Sequence, residues 1–156
     1  MIEIKETPGS ELGEVIITRD FDAPREMIFK AFLDAQQLIR FWAPVGSHVP
    51  IESVVIEPWV GGRFENSIAS DDGSGEWAFR SVFTELLEPE RFAFREVDSG
   101  MNSRSTLTDL GGGRTRLVIH QTDVPILYRS PEALAGFSTT LDKLAEHLAA
   151  KLANRA

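Results

Sequence analysis

The segment 131–153 reads PEALAGFSTTLDKLAEHLAAKLA and carries a regular apolar pattern. Its large apolar residues recur at spacings of three and four, which places them on one stripe of an α-helix: Leu134, Phe137, Leu141, Leu144, Leu148 and Leu152. Charged residues such as Glu132, Asp142 and Glu146 lie on the other faces. The pattern therefore predicts a long C-terminal helix that packs one face against the rest of the molecule.

The residues upstream of this helix alternate with a period of two. The alternation predicts seven strands, at 14–21, 51–57, 61–68, 76–86, 91–97, 103–110 and 114–122. In the longest strand Trp77, Phe79 and Phe83 share one face. Short turns such as DDGSG at 71–75 connect consecutive strands, so an antiparallel meander is expected.

Two short helices complete the pattern after the first strand. Pro24, preceded by an acid, begins one helical apolar stripe, and a second stripe covers 35–42. A twisted sheet of seven strands curves around its helical cover, so the sequence predicts an α+β fold with a curved antiparallel sheet wrapped around the C-terminal helix. A length of 156 residues fits one domain, 1–156, in which 1–12 are expected to form a loose N-terminal extension.

Composition excludes several classes of function. The net charge is −8 and the basic residues are scattered, so neither a nucleic acid nor an anionic membrane surface is an expected partner. The absence of cysteine excludes disulfides, thiolate metal sites and a cysteine nucleophile, and it fits a reducing compartment. The acidic N-terminus differs from a signal peptide, and no apolar run approaches the ~20 residues that span a bilayer. A cytoplasmic location is expected.

Six short motifs follow one another in a familiar order: APREMIFKAF at 23–32, FWAP at 41–44, VGGRF at 60–64, LEPERF at 87–92, RTRL at 114–117 and GFSTTLDKLA at 136–145. They resemble, in turn, A-P-x-x-x-V-F-x-A, W-W-x-P, V-G-G-x-[FY], x-x-P-x-R-[LIF], G-T-x-[VL] and G-W-x-x-x-L-x-x-L. These motifs are typical of bacterial proteins related to the C-terminal domain of the activator of heat-shock protein 90 ATPase. The chain thus resembles that family, which belongs to the START-like helix-grip superfamily.

The resemblance implies a helix-grip fold and, from the superfamily's hydrophobic ligands, a binding role. The sequence departs from the family pattern at three positions. Trp59 stands where an arginine is common, Gln121 where the last strand often has histidine, and Phe137 where tryptophan is usual. These changes make the expected interior more apolar and less ionisable, which favours binding over chemistry.

A curved sheet does not contact a straight helix along its whole length, so we expect an apolar cavity between them. The residues expected to line it are mostly aromatic or aliphatic: Trp42, Trp59, Phe64, Trp77, Phe79, Phe83, Phe94, Ile119, Phe137 and Leu141. Polar groups for orienting a ligand are expected from Thr106, Gln121 and Thr140. The competing interpretation is that these side chains simply fill the core.

No catalytic or metal constellation is visible in the sequence. His48, His120 and His147 lie far apart without metal-ligand spacing, so neither a metal nor another cofactor is expected. Three glutamates near the expected cavity mouth are the candidate acids: Glu57, Glu65 and Glu76.

The leading hypothesis is non-catalytic binding of a small hydrophobic or amphipathic molecule. One alternative is a co-chaperone that stimulates a heat-shock protein 90 ATPase, as the resemblance implies. Another is a cyclase- or hydrolase-type enzyme acting on an aromatic or polyketide-like substrate. A homodimer is left open.

Overall fold

The computed structural model describes residues 1–6 and 8–155. It contains nine strands: β1 (Ile2–Glu6), β2 (Leu12–Phe21), β3 (Ser47–His48), β4 (Val55–Ile56), β5 (Arg63–Ser70), β6 (Glu76–Leu87), β7 (Arg91–Glu96), β8 (Asn102–Gly111) and β9 (Arg114–Pro125). Its helices are α1 (Arg25–Leu33), α2 (Ala35–Leu38) and α3 (Pro131–Ala153). Two 3-10 turns, Ile51–Ser53 and Ile126–Arg129, precede β4 and α3.

The strands form one antiparallel sheet in the order β1-β2-β9-β8-β7-β6-β5-β3, with β4 paired to β5. Cross-strand pairing places Phe64 opposite Ser81, and Phe83 opposite Phe94. Residues paired across strands project from the same face, so these side chains share the face that α3 covers. We call it the concave face. The α+β helix-grip architecture predicted from sequence is confirmed.

The N-terminal residues differ from expectation. Ile2–Glu6 were expected within a loose extension, but they form β1, which pairs with β2 through Ile2 opposite Ile17 and Ile4 opposite Val15. Two isoleucines alternating with charged residues give only a weak strand signal, and the pairing depends on the neighbouring strand. Thr7, within the same expected extension, lies outside the described residues.

The region between α2 and β5 accounts for the rest of the difference in strand number. The predicted strand 51–57 is a 3-10 turn followed by the two-residue β4, and β3 was not predicted. Both β3 and β4 pair with β5, on the side away from β6. Strands of two residues show no measurable alternation, so their position is set by pairing with β5 and not by their own pattern.

Helix α3 packs unevenly along its length. Ser130 caps it by accepting a hydrogen bond from Ala133 N at 3.1 Å. In the C-terminal half Leu144 and Leu148 are fully buried, whereas Leu134 and Phe137 in the N-terminal half are only partly buried. The helix is therefore buried deepest from Thr140 to Leu148, and its first two turns are more exposed.

Two glycines shape the turn between β4 and β5. Gly61 has φ +88°, and a Cβ at Gly62 would overlap the carbonyl oxygen of Glu57. The backbone of this turn therefore requires glycine at both positions. Within the described part of the chain, none of the helices has the length and apolar character needed to cross a membrane.

Candidate ligand-binding site

Trp42 lies at the centre of a group of rings between the sheet and α3. Its ring centroid is 5.8 Å from that of Phe64, 5.9 Å from Phe79 and 6.5 Å from Phe137. These residues follow α2 or come from β5, β6 and α3, so the group joins the sheet to its helical cover. We call Trp42, Phe64, Phe79, Phe83, Phe94 and Phe137 the aromatic cluster.

The aromatic cluster runs from a buried floor to an exposed mouth. Phe64 stacks on Phe83 at 5.2 Å and contacts Phe94 at the same distance, and all three rings are buried. Phe79 and Phe137 are only partly buried. Trp77 lies two residues before Phe79 on the same face and is 58% exposed. We call the partly exposed surface that Trp77 and Phe79 form with Phe137, in the first two turns of α3, the cleft.

Unpartnered polar atoms lie beside the rings. Asn66 projects from the concave face of β5 opposite Phe79 and is 2% exposed. Neither its Nδ2 nor its Oδ1 has a hydrogen-bond partner among residues 1–6 and 8–155. The same holds for Trp42 Nε1 and Thr140 Oγ1 within those residues. Buried polar atoms are nearly always hydrogen-bonded, because leaving one unpaired costs about 1–3 kcal/mol. Asn66 and Trp42 thus place three unpaired polar atoms within or beside the aromatic cluster.

The amide of Asn66 therefore lowers stability. We expect Asn66→Leu to raise the free energy of unfolding by about 1–2 kcal/mol, because leucine has a similar volume and no polar atoms to desolvate. Urea denaturation of the variant and the wild type measures the change. Asn66→Asp is the matched control and should lower stability, because it buries a charge at the same place. A destabilised leucine variant would contradict the prediction.

A carboxyl group and a phenol meet on the same face. Glu96, at the end of β7, is 6% exposed and lies opposite Ser81 on β6. Tyr128, from the turn before α3, donates a hydrogen bond from its hydroxyl to Glu96 Oε1 at 3.0 Å. Burial, together with the charge and hydrogen bond of Glu96, raises the pKa of Tyr128 to about 12. The phenol thus stays protonated and remains a donor across the physiological range.

Tyr128 is the single tyrosine of the chain and reports its own titration. We expect the ultraviolet absorbance of tyrosinate to appear with a midpoint near pH 12 instead of the ordinary 10.0. Because the folded-state pKa of Tyr128 is raised, its protonated hydroxyl stabilises the folded protein. This stabilisation is complete below the unfolded pKa and is lost as the pH rises through the folded value. Glu96→Gln should move the midpoint downward. A midpoint near 10 in the folded wild type would contradict the assignment.

The structure brings most of the predicted site residues onto the concave face. Ile119 and Leu141 are buried there with the floor of the aromatic cluster, and Gln121 lies opposite Val15 and Ser103. Thr140 is buried one turn after Phe137 on α3. The floor rings pack against one another, as the competing core-filling interpretation predicts, while the mouth is partly open.

Two predicted residues lie elsewhere. Trp59 is 57% exposed at the tip of the turn between β4 and β5, where Gly62 N donates to its carbonyl oxygen at 2.8 Å. Thr106 shares the outer face of β8 with Arg104, because Ser105 and Leu107 occupy the concave face. Turn geometry in the first case and strand alternation in the second place these side chains away from the cleft.

The sequence interpretation missed Asn66, Glu96 and Tyr128. A signal for the first two was present, because Asn66 alternates with Phe64 and Ile68, and Glu96 with Phe94. A polar residue within an otherwise apolar inward series is unusual and indicates a polar group facing the interior. Tyr128 carried no such signal, since its position depends on how the turn before α3 folds back.

The candidate acids and histidines do not converge. Glu57 accepts a hydrogen bond from the Arg63 backbone nitrogen at 2.9 Å, and this contact lowers the pKa of its carboxyl group. Each histidine contacts a different partner: His48 with Asp71 at 2.6 Å, His120 with Glu14 at 3.0 Å and His147 with Gln37 at 2.9 Å. Among the described residues no group of three His, Asp or Glu side chains is placed to hold a metal ion.

Glu65 and Glu76, the other candidate acids, belong to the outer face of the sheet, since Glu65 pairs with Arg80 and Glu76 with Ala69. An open surface depression of about 630 Å³ also lies apart from the cleft, between α1 and β4, where Phe29, Lys30 and Pro58 are among its lining residues. None of the unpartnered buried atoms of the cleft lines this depression. The cleft therefore remains the better candidate.

Solved structures with the same architecture come from several bacteria. Protein CV1439 from Chromobacterium violaceum is 27% identical, with a TM-score of 0.76 over 86% of this chain and 96% of that one. Protein Ms6760 from Mycobacterium smegmatis is 21% identical, with a TM-score of 0.77 over 96% and 98% of the two chains. The AHSA1-like protein from Aeromonas hydrophila is 24% identical, with a TM-score of 0.73 over 87% and 93%.

The fold is thus shared with proteins of low sequence identity. No curated protein matches the chain. One family model does match, over residues 22–149, and this range contains the aromatic cluster, Asn66, Glu96 and Tyr128. The family resemblance seen in the motifs is confirmed: the chain belongs to the family of activator of Hsp90 ATPase homolog 1-like proteins.

Proposed function

We propose that the protein binds a small, largely apolar molecule in the cleft, without chemical conversion. The observation that carries the proposal is the Asn66 side chain, 2% exposed and without a hydrogen-bond partner on either amide atom among the described residues. A ligand that pairs with this amide recovers the free energy that desolvation costs the empty protein. A ligand that forms hydrogen bonds with Asn66 therefore binds more tightly than one that makes apolar contacts alone.

The mouth of the cleft offers the apolar contacts. Trp77 and Phe137 are exposed enough to be covered by a ligand, and Phe79 lies between Trp77 and the buried floor. Burying apolar surface contributes roughly 25 cal/mol per Å², and aromatic rings add the preferred edge-to-face contacts. Pockets of this kind, mostly apolar with few polar groups, are typical of small-molecule sites.

The test uses N-phenyl-1-naphthylamine, a neutral dye whose fluorescence rises in apolar surroundings. We expect saturable binding, and at a hundred times its dissociation constant the dye should add about 2.7 kcal/mol to the free energy of unfolding. The double variant Trp77→Ala/Phe137→Ala should bind it more weakly. Trp59→Ala, which removes an exposed ring outside the cleft, is the matched control and should bind as the wild type does.

Two results would reject the proposal. One is the absence of saturable binding to a wild type shown to be folded by circular dichroism. The other is equal weakening in the Trp59 variant and the cleft variant, which would indicate adsorption to exposed rings instead of a site.

A second candidate function is stimulation of a heat-shock protein 90 ATPase, and the description of the matching family favours it. Trp59 and Val60 are adjacent exposed apolar residues at the tip of one turn and would be the contact. If so, the protein raises ATP turnover by a bacterial heat-shock protein 90, and Trp59→Ala reduces the increase. Unchanged turnover with excess protein would exclude this role.

A further inference from the structure

The polar groups around the cleft also indicate which ligands it binds. The first criterion is the ligand's hydrogen-bonding pattern. Asn66 offers a donor, Nδ2, and an acceptor, Oδ1, both unpaired within the described residues. A planar cis-amide or lactam presents the complementary acceptor and donor side by side, so one such group satisfies both atoms at once. A hydrocarbon of the same shape leaves both unpaired. The amide therefore favours a ligand with an uncharged lactam-like edge.

Charge adds a second criterion. Glu96 is 6% exposed on the concave face, and its side chain accepts a hydrogen bond from the hydroxyl of Tyr128. Its side chain forms no ion pair among residues 1–6 and 8–155. A ligand carboxylate brought beside it meets a like charge in a region of low dielectric, where repulsion is strong.

Three other polar side chains of the sheet and α3 are already engaged in hydrogen bonds. Arg19, on the concave face of β2, donates to Asp142 at 2.6 Å and to Ser138 at 3.2 Å. Lys143 donates to the carbonyl oxygen of Ala43 at 2.9 Å. Ser81, between Phe79 and Phe83, donates its hydroxyl to the Phe64 carbonyl oxygen at 2.7 Å. Neither Arg19 nor Lys143 is therefore free to compensate Glu96 when an anion binds.

We propose that the cleft selects uncharged aromatic molecules with a lactam-like donor–acceptor edge. Asn66 forms hydrogen bonds with that edge, and Glu96 repels anions. The proposal rests on the proposed binding function and specifies its ligand class. Asn66 and Glu96 are accordingly specificity-determining residues. Trp42 Nε1 and Thr140 Oγ1, both buried and unpaired among the described residues, supply further neutral hydrogen-bonding groups.

Three bicyclic competitors of similar size test the proposal: 2-quinolinone, a neutral lactam; naphthalene, which lacks polar groups; and 2-naphthoate, an anion. Each compound is titrated into the wild type with bound N-phenyl-1-naphthylamine, and displacement of the dye is measured by its fluorescence. We expect 2-quinolinone to bind about tenfold more tightly than naphthalene, since it forms two hydrogen bonds to an otherwise unpaired amide. We expect 2-naphthoate to bind at least about tenfold more weakly than naphthalene.

Two variants separate the contributions. Asn66→Leu should abolish the advantage of 2-quinolinone and leave naphthalene unaffected. Glu96→Gln should strengthen 2-naphthoate binding about fivefold or more and leave the neutral competitors nearly unchanged. Equal displacement by all three compounds, or an unchanged order in both variants, would overturn the selectivity while binding itself stands. Failure of the dye and of every compound to bind would reject the binding function together with it.

Discussion

Phe64→Ala is expected to lower the free energy of unfolding by about 3–5 kcal/mol. The Phe64 ring lies 5.2 Å from both Phe83 and Phe94, 5.8 Å from Trp42 and 6.0 Å from Phe79, measured between centroids. Removing a buried ring that four others contact leaves a cavity which these rigid side chains cannot fill without leaving their rotamers. Urea denaturation, followed by tryptophan fluorescence, measures the loss.

Two further variants serve as controls for Phe64→Ala. Phe64→Leu keeps most of the volume and should cost clearly less than the alanine variant. Trp59→Ala removes a larger ring from the exposed turn and should change stability by less than about 1 kcal/mol. An alanine variant at position 64 as stable as the one at position 59 would show that the floor of the cleft is not packed as described.

Arg129→Met should lower the free energy of unfolding by about 3 kcal/mol. Arg129, in the turn before α3, is buried, and its guanidinium donates to the carbonyl oxygens of Val124 at 3.0 Å and Glu11 at 2.6 Å. It also pairs with Glu6 Oε1 at 2.8 Å. One side chain thereby joins β1, the start of β2, the end of β9 and the turn that leads into α3. Methionine keeps the apolar stem but leaves the two carbonyl oxygens without their charged donor.

The ion pair itself should contribute little, because the Glu6 side chain is 70% exposed. Glu6→Gln is therefore expected to change stability by less than about 1 kcal/mol. Denaturation of both variants under the same conditions distinguishes the carbonyl contacts from the ion pair. If the Glu6 variant lost as much stability as the Arg129 variant, the hydrogen bonds to the backbone would not be the source of the effect.

The architecture was readable from local pattern to a large extent. The predicted helix 131–153 coincides with α3, because a stripe at spacings of three and four, a capping serine and a proline at the first turn all mark the same element. Strand β6 begins where alternation predicted, at Glu76. By contrast, β1 was expected to be loose, because two isoleucines alternating with charged residues are a weak strand signal. Ile2 and Ile4 form a strand because β2 lies beside them.

The site was predictable in part. Strand alternation and the helical stripes identified the rings of the aromatic cluster. Trp59 was misplaced because a turn has no alternation from which to infer direction. Asn66 and Glu96 could be recognised in the sequence as polar residues within apolar series. The alternation does not show, however, that their polar groups face the interior without a charged partner. That property depends on which side chains arrive from β6, α3 and the turn at Tyr128.

The sequence by itself determined the long one-faced helix, the antiparallel meander and the apolar character of the surface between them, because each follows from a repeat of two or of three to four residues. Only the tertiary structure decided which part of α3 is buried most deeply, which rings are buried and which are partly exposed, and which polar atoms are left without partners among the described residues. These features arise from contacts between residues far apart in the chain, such as Tyr128 with Glu96 and Trp42 with Phe137, and no local pattern encodes them.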